Sequence, residues 1–227
     1  MIKVKNIIKS FKSGDSELFV LKGVSFSVSS GEFVSVTGRS GSGKSTLLYQ
    51  LGALDHPNSG EIHIDGTEIT KLSHEKRTDM RLESLGYIFQ DYALIPELSA
   101  IENVLVPLMM QGMDKKTSEK KALRSLEKIG LAERTNNLPS QLSGGEQQRV
   151  AIARAIAHEP KIIFADEPTA NLDSETSEAV LKNFTELNKE GQTIVMVTHE
   201  LEYASLTDRI ITLSDGEIVS DIKNQKN

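Results

Sequence analysis

The 227-residue sequence predicts an α/β fold with a mainly parallel sheet, an N-terminal antiparallel β-subdomain and an inserted α-helical subdomain. Three observations support this prediction. The first third of the chain contains short apolar runs separated by turns, the middle has apolar residues at helical spacing, and the last third alternates between the two patterns. Alternating strands and helices are typical of a parallel sheet covered on its faces. With 38% hydrophobic residues, the chain can bury a core of domain size.

The N-terminal part of the chain is expected to form strands, because its apolar runs are short and end at turn-forming residues. These runs cover residues 2–8, 18–28, 32–37, 61–64 and 85–89. The run at 32–37 stops at a glycine-rich stretch, so the strand predicted there should lead directly into a loop.

The middle of the chain, from about residue 91 to 158, is predicted to be the helical subdomain of a single domain. It is inserted between two parts of the core, at about 1–90 and 159–227. Ser99 and Glu102 have the spacing of a capping box at a helix N-terminus, and an apolar run follows them.

The C-terminal part returns to the alternating pattern. Runs at 161–165 and 193–198 are predicted strands, and an amphipathic helix is predicted at 174–190 between them. Asp215-Gly216 is a two-residue hairpin signal between two further strands. The polar segment 221–227 is expected to fray.

Composition excludes several classes of protein. A formal net charge of -6 disfavours binding to the backbone of a nucleic acid. The absence of cysteine excludes disulfide scaffolds and cysteine-ligated zinc. No run approaches the roughly 18 apolar residues of a membrane span, and residues 1–6 lack the apolar core of a signal peptide. We therefore expect the chain to stay in the cytosol unless a partner recruits it.

A phosphate-binding loop is predicted between the strand at 32–37 and the helix that follows it. The loop and the first helical residues match the pattern G-x-x-x-x-G-K-[ST] and comprise Gly38, Arg39, Ser40, Gly41, Ser42, Gly43, Lys44, Ser45 and Thr46. Glycines let the backbone amides wrap around phosphate oxygens, and the helix N-terminus adds partial positive charge. Lys44 is expected to bridge the terminal phosphates and Ser45 to ligate magnesium. A glycine-rich turn that matches by chance is the alternative, and the strand–loop–helix context disfavours it.

Two carboxylates follow the buried run at 161–165. Asp166 is expected to hold magnesium or its water beside the phosphates, while Glu167 points elsewhere and can orient and deprotonate an attacking water. Taken alone, the pair could equally be a polar strand end. The phosphate-binding loop favours the functional interpretation and predicts a P-loop NTPase core.

A second anion site is predicted at the start of another helix. The segment consists of Leu142, Ser143, Gly144, Gly145, Glu146 and Gln147. A serine and two glycines at a helix start leave main-chain amides and the positive end of the helix dipole exposed. An ordinary helix capped by Ser143, with Gln147 nearby, is the alternative.

The chain contains, in this order, the phosphate loop, Gln90, the LSGGEQ segment at 142–147, Asp166-Glu167 and His199. A chain with this order of motifs resembles the nucleotide-binding subunits of ABC transporters. The resemblance covers nearly the whole chain. It implies that the chain binds ATP and Mg2+, hydrolyses ATP, and forms a head-to-tail homodimer with two ATP molecules between the subunits. Each ATP then lies on the phosphate loop of one chain and under residues 142–147 of the other.

The resemblance also implies roles for single residues. Gln90 matches the glutamine that reaches magnesium and the attacking water, and His199 matches the histidine that contacts the γ-phosphate and orients the catalytic glutamate. Asp173 matches the aspartate that braces the opposite subunit's site, and it could also cap the following helix. Phe11 matches the aromatic residue that stacks on adenine. A core position for Phe11, with Phe19 as the stacking residue, is the alternative.

Three segments, at 54–62, 89–104 and 165–173, resemble the lipoprotein-release and macrolide-export group of these ATPases. That resemblance implies an integral membrane permease as partner, no nucleic acid, and a peripheral position on the cytoplasmic side of the cell membrane. A soluble ABC ATPase that acts on nucleic acid or ribosomes is the alternative function. Apolar residues near Gln90 are candidates either for permease contact or for the core of the helical subdomain: Leu94, Ile95, Leu98, Leu105 and Met109.

Overall fold

The computed structural model describes residues 1–14 and 16–224. The strands are β1 (Ile2–Ser13), β2 (Ser16–Val28), β3 (Phe33–Thr37), β4 (Ser59–Ile64), β5 (Thr67–Glu68), β6 (Leu85–Ile88), β7 (Ile162–Asp166), β8 (Thr193–Val197), β9 (Arg209–Ser214) and β10 (Glu217–Lys223). The helices are α1 (Lys44–Leu51), α2 (His74–Ser84), α3 (Ala100–Met110), α4 (Lys115–Lys128), α5 (Gly144–Ile156), α6 (Ser174–Lys189) and α7 (Leu201–Ala204). Short 3-10 helices cover Ile69–Lys71, Ala132–Arg134 and Pro139–Gln141.

The chain divides into two compact units: Met1–Asp79 with Asn188–Asn227, and Met80–Leu187. The second unit contains the predicted helical subdomain, 91–158, together with β6, β7 and α6. The boundaries of that subdomain stay a prediction.

The first unit contains two groups of strands. β2, β1, β4 and β5 pair in that order and are antiparallel throughout, as predicted for the N-terminal β-subdomain. β3 pairs in parallel with both β8 and β9, and β10 adds to β9 in the antiparallel sense. Every residue of β3 and β8 is buried, which is typical of central strands in a parallel sheet. The α/β fold class predicted from the sequence is confirmed.

The hairpin between β9 and β10 turns at the predicted residues. Asp215 and Gly216 have φ angles of 48° and 83°, and two consecutive positive φ values are what a type I′ turn requires. The prediction that residues 221–227 fray is wrong for 221–223, which form the last part of β10. Arg209 fixes that end, because its Nε lies 2.5 Å from an oxygen of Asp221. Residues 225–227 lie outside the described part of the chain.

The second unit places helices beside a parallel pair of strands. β6 and β7 run in parallel, and α3, α4 and α5 pack against one another. The predicted capping box at the start of α3 is present, since the Ser99 amide donates to Glu102 (2.8 Å) and the Glu102 amide donates to the Ser99 hydroxyl (3.4 Å). Within the described residues, no helix has both the length and the apolar character needed to cross a membrane.

Candidate active site

The predicted phosphate loop connects β3 to α1, in the first unit. Its backbone can exist only with glycine at two positions. At Gly38 the φ angle is 143°, and an added Cβ would overlap the main-chain oxygen of Leu213. At Gly43, the residue before α1, φ is 99° and a Cβ would lie 2.8 Å from the oxygen of Val20. The glycines of the pattern are therefore required by the turn itself.

Lys44 is folded back over this loop. Its ammonium group donates hydrogen bonds of 3.0 Å to the main-chain oxygens of Gly38 and Arg39, and the residue is only 5% exposed. The Ser42 hydroxyl is buried and has no hydrogen-bond partner within the described residues. A lysine inside a turn of main-chain amides, next to an unsatisfied hydroxyl, fits an anionic ligand such as a phosphate group. Ser45 and Thr46 follow at the start of α1 and are half-buried.

The carboxylate pair closes β7, in the second unit. Asp166 is the last residue of the strand and is buried, whereas Glu167 is half-buried. Glu167 has a φ angle of 43°, which is uncommon for a residue with a side chain. Such left-handed positions are costly and cluster at functional sites. The following loop is held by hydrogen bonds from the Ala170 amide to the Glu167 oxygen (3.1 Å) and from the Leu172 amide to the Thr169 oxygen (3.1 Å).

The LSGGEQ segment starts α5, also in the second unit. Ser143 caps the helix, and its partner is Glu146 rather than Gln147: the Ser143 amide donates to Glu146 (2.8 Å) and the Glu146 amide donates to the Ser143 hydroxyl (3.3 Å). The hydrogen bond from the Ser143 amide, aided by Arg134, holds the pKa of Glu146 below its usual range. Gln147 instead donates to the oxygen of Leu142 (3.1 Å). The cap that the alternative interpretation expects is present, and a capped helix start can still present main-chain amides to an anion.

The two glycines of this segment are packed closely. A Cβ on Gly145 would overlap the Cγ2 methyl of Thr176, on α6. A Cβ on Gly144 would lie 3.0 Å from the hydroxyl of Tyr92. The sequence at these positions is therefore fixed by packing as well as by any ligand.

Gln90 is exposed and lies at the start of a loop. Two side chains from other segments donate hydrogen bonds to main-chain oxygens of this loop. Asn171 Nδ2 donates to the Gln90 oxygen (2.9 Å). Arg154, on α5, donates to the oxygens of Tyr92 (2.9 Å) and Ala93 (2.5 Å). The sequence does not indicate these contacts of Asn171 and Arg154, because nothing in their local pattern shows which loop they bind.

His199 and Asp173 both lie in connecting segments. His199 lies between β8 and α7, and Asp173 lies directly before α6. His199 follows β8, in the first unit, and is exposed; the next amide, of Glu200, donates to the Thr198 hydroxyl (3.1 Å). Asp173 precedes α6, in the second unit, and accepts from the Thr176 amide (2.8 Å). That hydrogen bond holds the pKa of Asp173 below its usual range. The predicted capping role of Asp173 is confirmed.

Phe11 lies on β1 and is 46% exposed, so the alternative that places it in the core is wrong. Phe19, on the neighbouring strand β2, is exposed to a similar extent, at 48%. The ammonium group of Lys9 lies 5.0 Å from the centre of the Phe11 ring.

The predicted site residues thus fall into two sets. The first unit carries Phe11, the phosphate loop 38–46 and His199. The second unit carries Gln90, residues 142–147, Asp166, Glu167 and Asp173.

Known proteins are similar to this chain in sequence and in fold. The family model described as ABC transporter matches residues 21–170. A Bacillus subtilis ABC transporter ATP-binding protein, YknY, is 46% identical over 100% of this chain and 98% of its own length. The lipoprotein-releasing system ATP-binding protein LolD of Aquifex aeolicus is 47% identical over 96% of this chain and 95% of its own.

Two further matches extend the comparison. The macrolide export ATP-binding/permease protein MacB of Chlorobaculum tepidum is 44% identical, and the chain spans about a third (34%) of that longer protein. Among solved structures, the ATP-binding cassette MJ0796, in a dimeric post-hydrolysis state bound to ADP and Pi, superposes with a TM-score of 0.93. It is 43% identical, with 100% of both chains covered. The chain belongs to the ABC transporter family, as the order of its motifs predicts.

Proposed function

We propose that two copies of this chain close around two ATP molecules and, by hydrolysing them, drive shape changes in a separate membrane permease of the lipoprotein-release and macrolide-export type. The chain is an ABC ATPase subunit and binds ATP with Mg2+. One observation carries the proposal: a single polypeptide holds two anion-receptive helix starts, at Gly43–Lys44 where α1 begins and at Ser143–Gly145 where α5 begins. Two such starts are expected where one triphosphate is bound by two facing chains.

The phosphate loop supplies the binding contacts. When the triphosphate arrives, the Lys44 ammonium exchanges the two carbonyl oxygens that it now contacts for phosphate oxygens, which carry full negative charge. The unsatisfied Ser42 hydroxyl supplies a further donor, and main-chain amides within 41–45 supply others. The Ser45 hydroxyl, Gln90 and Asp166 provide the oxygen ligands that Mg2+ prefers, and bound magnesium neutralises charge on the phosphates.

Hydrolysis is assigned to three side chains. Glu167 orients the attacking water and accepts its proton, and its left-handed backbone, with φ at 43°, is of the strained kind that clusters at functional sites. His199 contacts the γ-phosphate and orients Glu167. Gln90 positions the water and relays the state of the site to the loop that follows it.

The second subunit completes each site. Residues 142–147 present the start of α5 to the γ-phosphate bound by the facing chain, and Asp173 braces the opposite subunit's site. Packing supports this role for the helix start, because Thr176 and Tyr92 hold the backbone of Gly144 and Gly145 in one place. A rigid set of donors lowers the cost of binding a charged group.

We assign the permease contact to apolar residues that follow Gln90 in the chain. The apolar candidates are half-buried or exposed rather than fully buried, which supports a surface role: Leu94, Ile95, Leu98, Leu105 and Met109. The chain then acts at the membrane as a peripheral protein, on its cytoplasmic side.

The variant Glu167→Gln tests the proposal. It keeps the size of the side chain and removes the base, so ATP hydrolysis should fall by at least about 100-fold while ATP binding is retained. The uncleaved nucleotide should hold two chains together, and size-exclusion chromatography with light scattering should show a dimer with ATP and a monomer without it. Normal hydrolysis by this variant, or a monomer with ATP, contradicts the proposal. Purification in detergent should yield a membrane protein with the chain; association with ribosomes or DNA instead favours the soluble alternative.

A further inference from the structure

A lysine lies against the ring that is assigned to stack on adenine. Lys9 and Phe11 are two residues apart on β1, and Lys9 Nζ lies 5.0 Å from the centre of the Phe11 ring, over its face. The Lys9 side chain is only 12% exposed, whereas Phe11 is 46% exposed. A cation therefore lies over one face of the ring, while the residue as a whole keeps nearly half of its surface exposed.

Lys9 is itself held by the segment after α1. Its ammonium group lies 2.6 Å from a carboxylate oxygen of Asp55 and donates to the main-chain oxygen of His56 (2.7 Å). Burial raises the pKa of Asp55, but hydrogen bonds from Lys9, the His56 amide and Gln50 outweigh that effect and leave the pKa below its usual range. The Asp55 carboxylate therefore stays charged at neutral pH, and it keeps the ammonium group in place.

The same carboxylate is connected to the phosphate loop. Gln50 Nε2 donates to Asp55 (2.9 Å), and Gln50 is 1% exposed near the end of α1, the helix that begins with Lys44. A continuous series of contacts, Gln50–Asp55–Lys9–Phe11, thus runs from the phosphate-loop helix to the ring. We call this series the ring clasp. All of its members lie in the first unit.

We propose that Lys9 is a positioning residue for base recognition: through the ring clasp it holds Phe11 in one orientation, at a fixed distance from the phosphate loop. This inference rests on the proposed function, because it takes Phe11 as the surface that stacks on adenine. An exposed aromatic ring without such support loses rotamer freedom when a base binds, and that loss weakens binding. A ring already held by the cation avoids it. Lys9 then contributes to the affinity for the nucleoside part of ATP and leaves the phosphate contacts unchanged.

Two probes separate these parts of the ligand. ADP with Mg2+ carries base, ribose and phosphates, whereas inorganic pyrophosphate with Mg2+ carries phosphates alone. Calorimetric titration of Lys9→Met should show ADP binding weakened by about two- to fivefold, the range of an exposed to partly buried cation–π contact. Pyrophosphate binding should be unchanged. Lys9→Arg keeps the cation and should restore most of the ADP affinity.

Lys5→Met is the matched control. Lys5 lies on the same strand and pairs with Glu61 (3.4 Å), but no aromatic ring contact involves it in the described part of the chain. Its loss should change neither titration. If Lys9→Met fails to fold in circular dichroism melts, Asp55→Asn serves in its place, because it removes the carboxylate that holds the ammonium group. The same selective loss of ADP binding is then expected.

A double-mutant cycle shows whether Lys9 acts through the ring. In a Phe11→Ala background, Lys9→Met should cost little further ADP affinity, because the ring that it positions is gone. An undiminished effect in that background, or an equal loss of ADP and pyrophosphate, overturns the inference. So does normal ADP binding by Lys9→Met. A wild-type chain that binds no ADP contradicts the proposed function instead, so the two failures are distinguishable.

Discussion

Asn171 donates a hydrogen bond of 2.9 Å from its side-chain amide to the main-chain oxygen of Gln90. The two residues are 81 positions apart in the chain. Asn171 belongs to the loop between Glu167 and α6, and Gln90 starts the loop assigned to permease contact. The hydrogen bond therefore joins the loop that follows Glu167, the proposed catalytic base, to the loop that is proposed to contact the permease.

We expect Asn171→Ala to loosen Gln90 and reduce the ATP hydrolysis rate severalfold, while ATP binding stays near the wild-type value. One lost hydrogen bond of this kind is worth about 1 kcal/mol, which is close to a factor of five in rate. Steady-state kinetics should show the change in kcat rather than in KM. The control is Asn188→Ala, which also removes an amide bound to main-chain oxygens, of Gly31 (2.8 Å) and Gln192 (3.0 Å). It should lower the melting temperature and leave kcat intact; an equal fall in kcat in both variants contradicts the prediction.

Gly145→Ala tests the packing at the start of α5. The new Cβ meets the Cγ2 methyl of Thr176, so we expect the variant to lose about 1–3 kcal/mol of unfolding free energy. Adding Thr176→Ser removes that methyl and should recover most of the stability in urea denaturation. The new Cβ points toward Thr176 rather than toward the ligand, so hydrolysis and ATP-dependent dimerisation should recover in the double variant together with stability. Stability that recovers without hydrolysis would contradict this and show that a side chain at position 145 also disturbs the phosphate site.

Lys44→Met should abolish nucleotide binding and keep the fold. Loss of the ammonium group should leave the loop in place, because the two carbonyl oxygens that it contacts lie in a turn whose shape is set by Gly38 and Gly43. We expect affinity for ADP to fall by about 100-fold or more, which corresponds to the loss of a charge-assisted contact of about 3 kcal/mol. Titration calorimetry measures this change, and circular dichroism checks the fold. Wild-type affinity in the variant contradicts the assignment of the loop.

The sequence predicts the phosphate loop, the carboxylate pair and the helix start at Ser143 because each is a short segment whose chemistry depends on neighbouring residues. Strands such as β3 and β8 are predictable for the same reason, since buried apolar runs bounded by turns are local signals. Helix α2 is not predicted: of its residues only Arg77 is buried, so no apolar periodicity marks it.

Contacts between residues that are distant in the chain cannot be predicted from a single sequence. The contact of Arg154 with the oxygen of Tyr92 joins positions 62 apart. The polarity of Asp221 predicts an exposed, frayed end, yet tertiary pairing with Arg209 keeps that end in β10. Lys9 is likewise an ordinary strand residue in the sequence, and only the fold brings it against Asp55.

The pairing of Asp221 with Arg209 predicts a pH dependence of stability. The hydrogen bond from the guanidinium group is the main cause that lowers the pKa of Asp221 in the folded chain. A carboxylate with a lowered folded pKa stabilises the fold at pH values above its unfolded pKa of about 3.9, and the contribution disappears as the pH falls through the folded value. The pair is partly exposed, with the Asp221 side chain at 35%, so solvent screening limits the gain to about 0.5 kcal/mol.

Asp221→Asn should therefore lower the unfolding free energy at pH 7 by about 0.5 kcal/mol, and the difference from wild type should shrink as the pH falls below about 4. Urea denaturation at pH 7, 4.5 and 3 measures it. Glu217→Gln is the control, because Glu217 lies exposed on the same strand and forms no ion pair within the described part of the chain. A difference between Asp221→Asn and wild type that stays constant across the three pH values would mean that the charge of Asp221 does not hold β10. The end of the strand would then depend on its main-chain pairing with β9 alone.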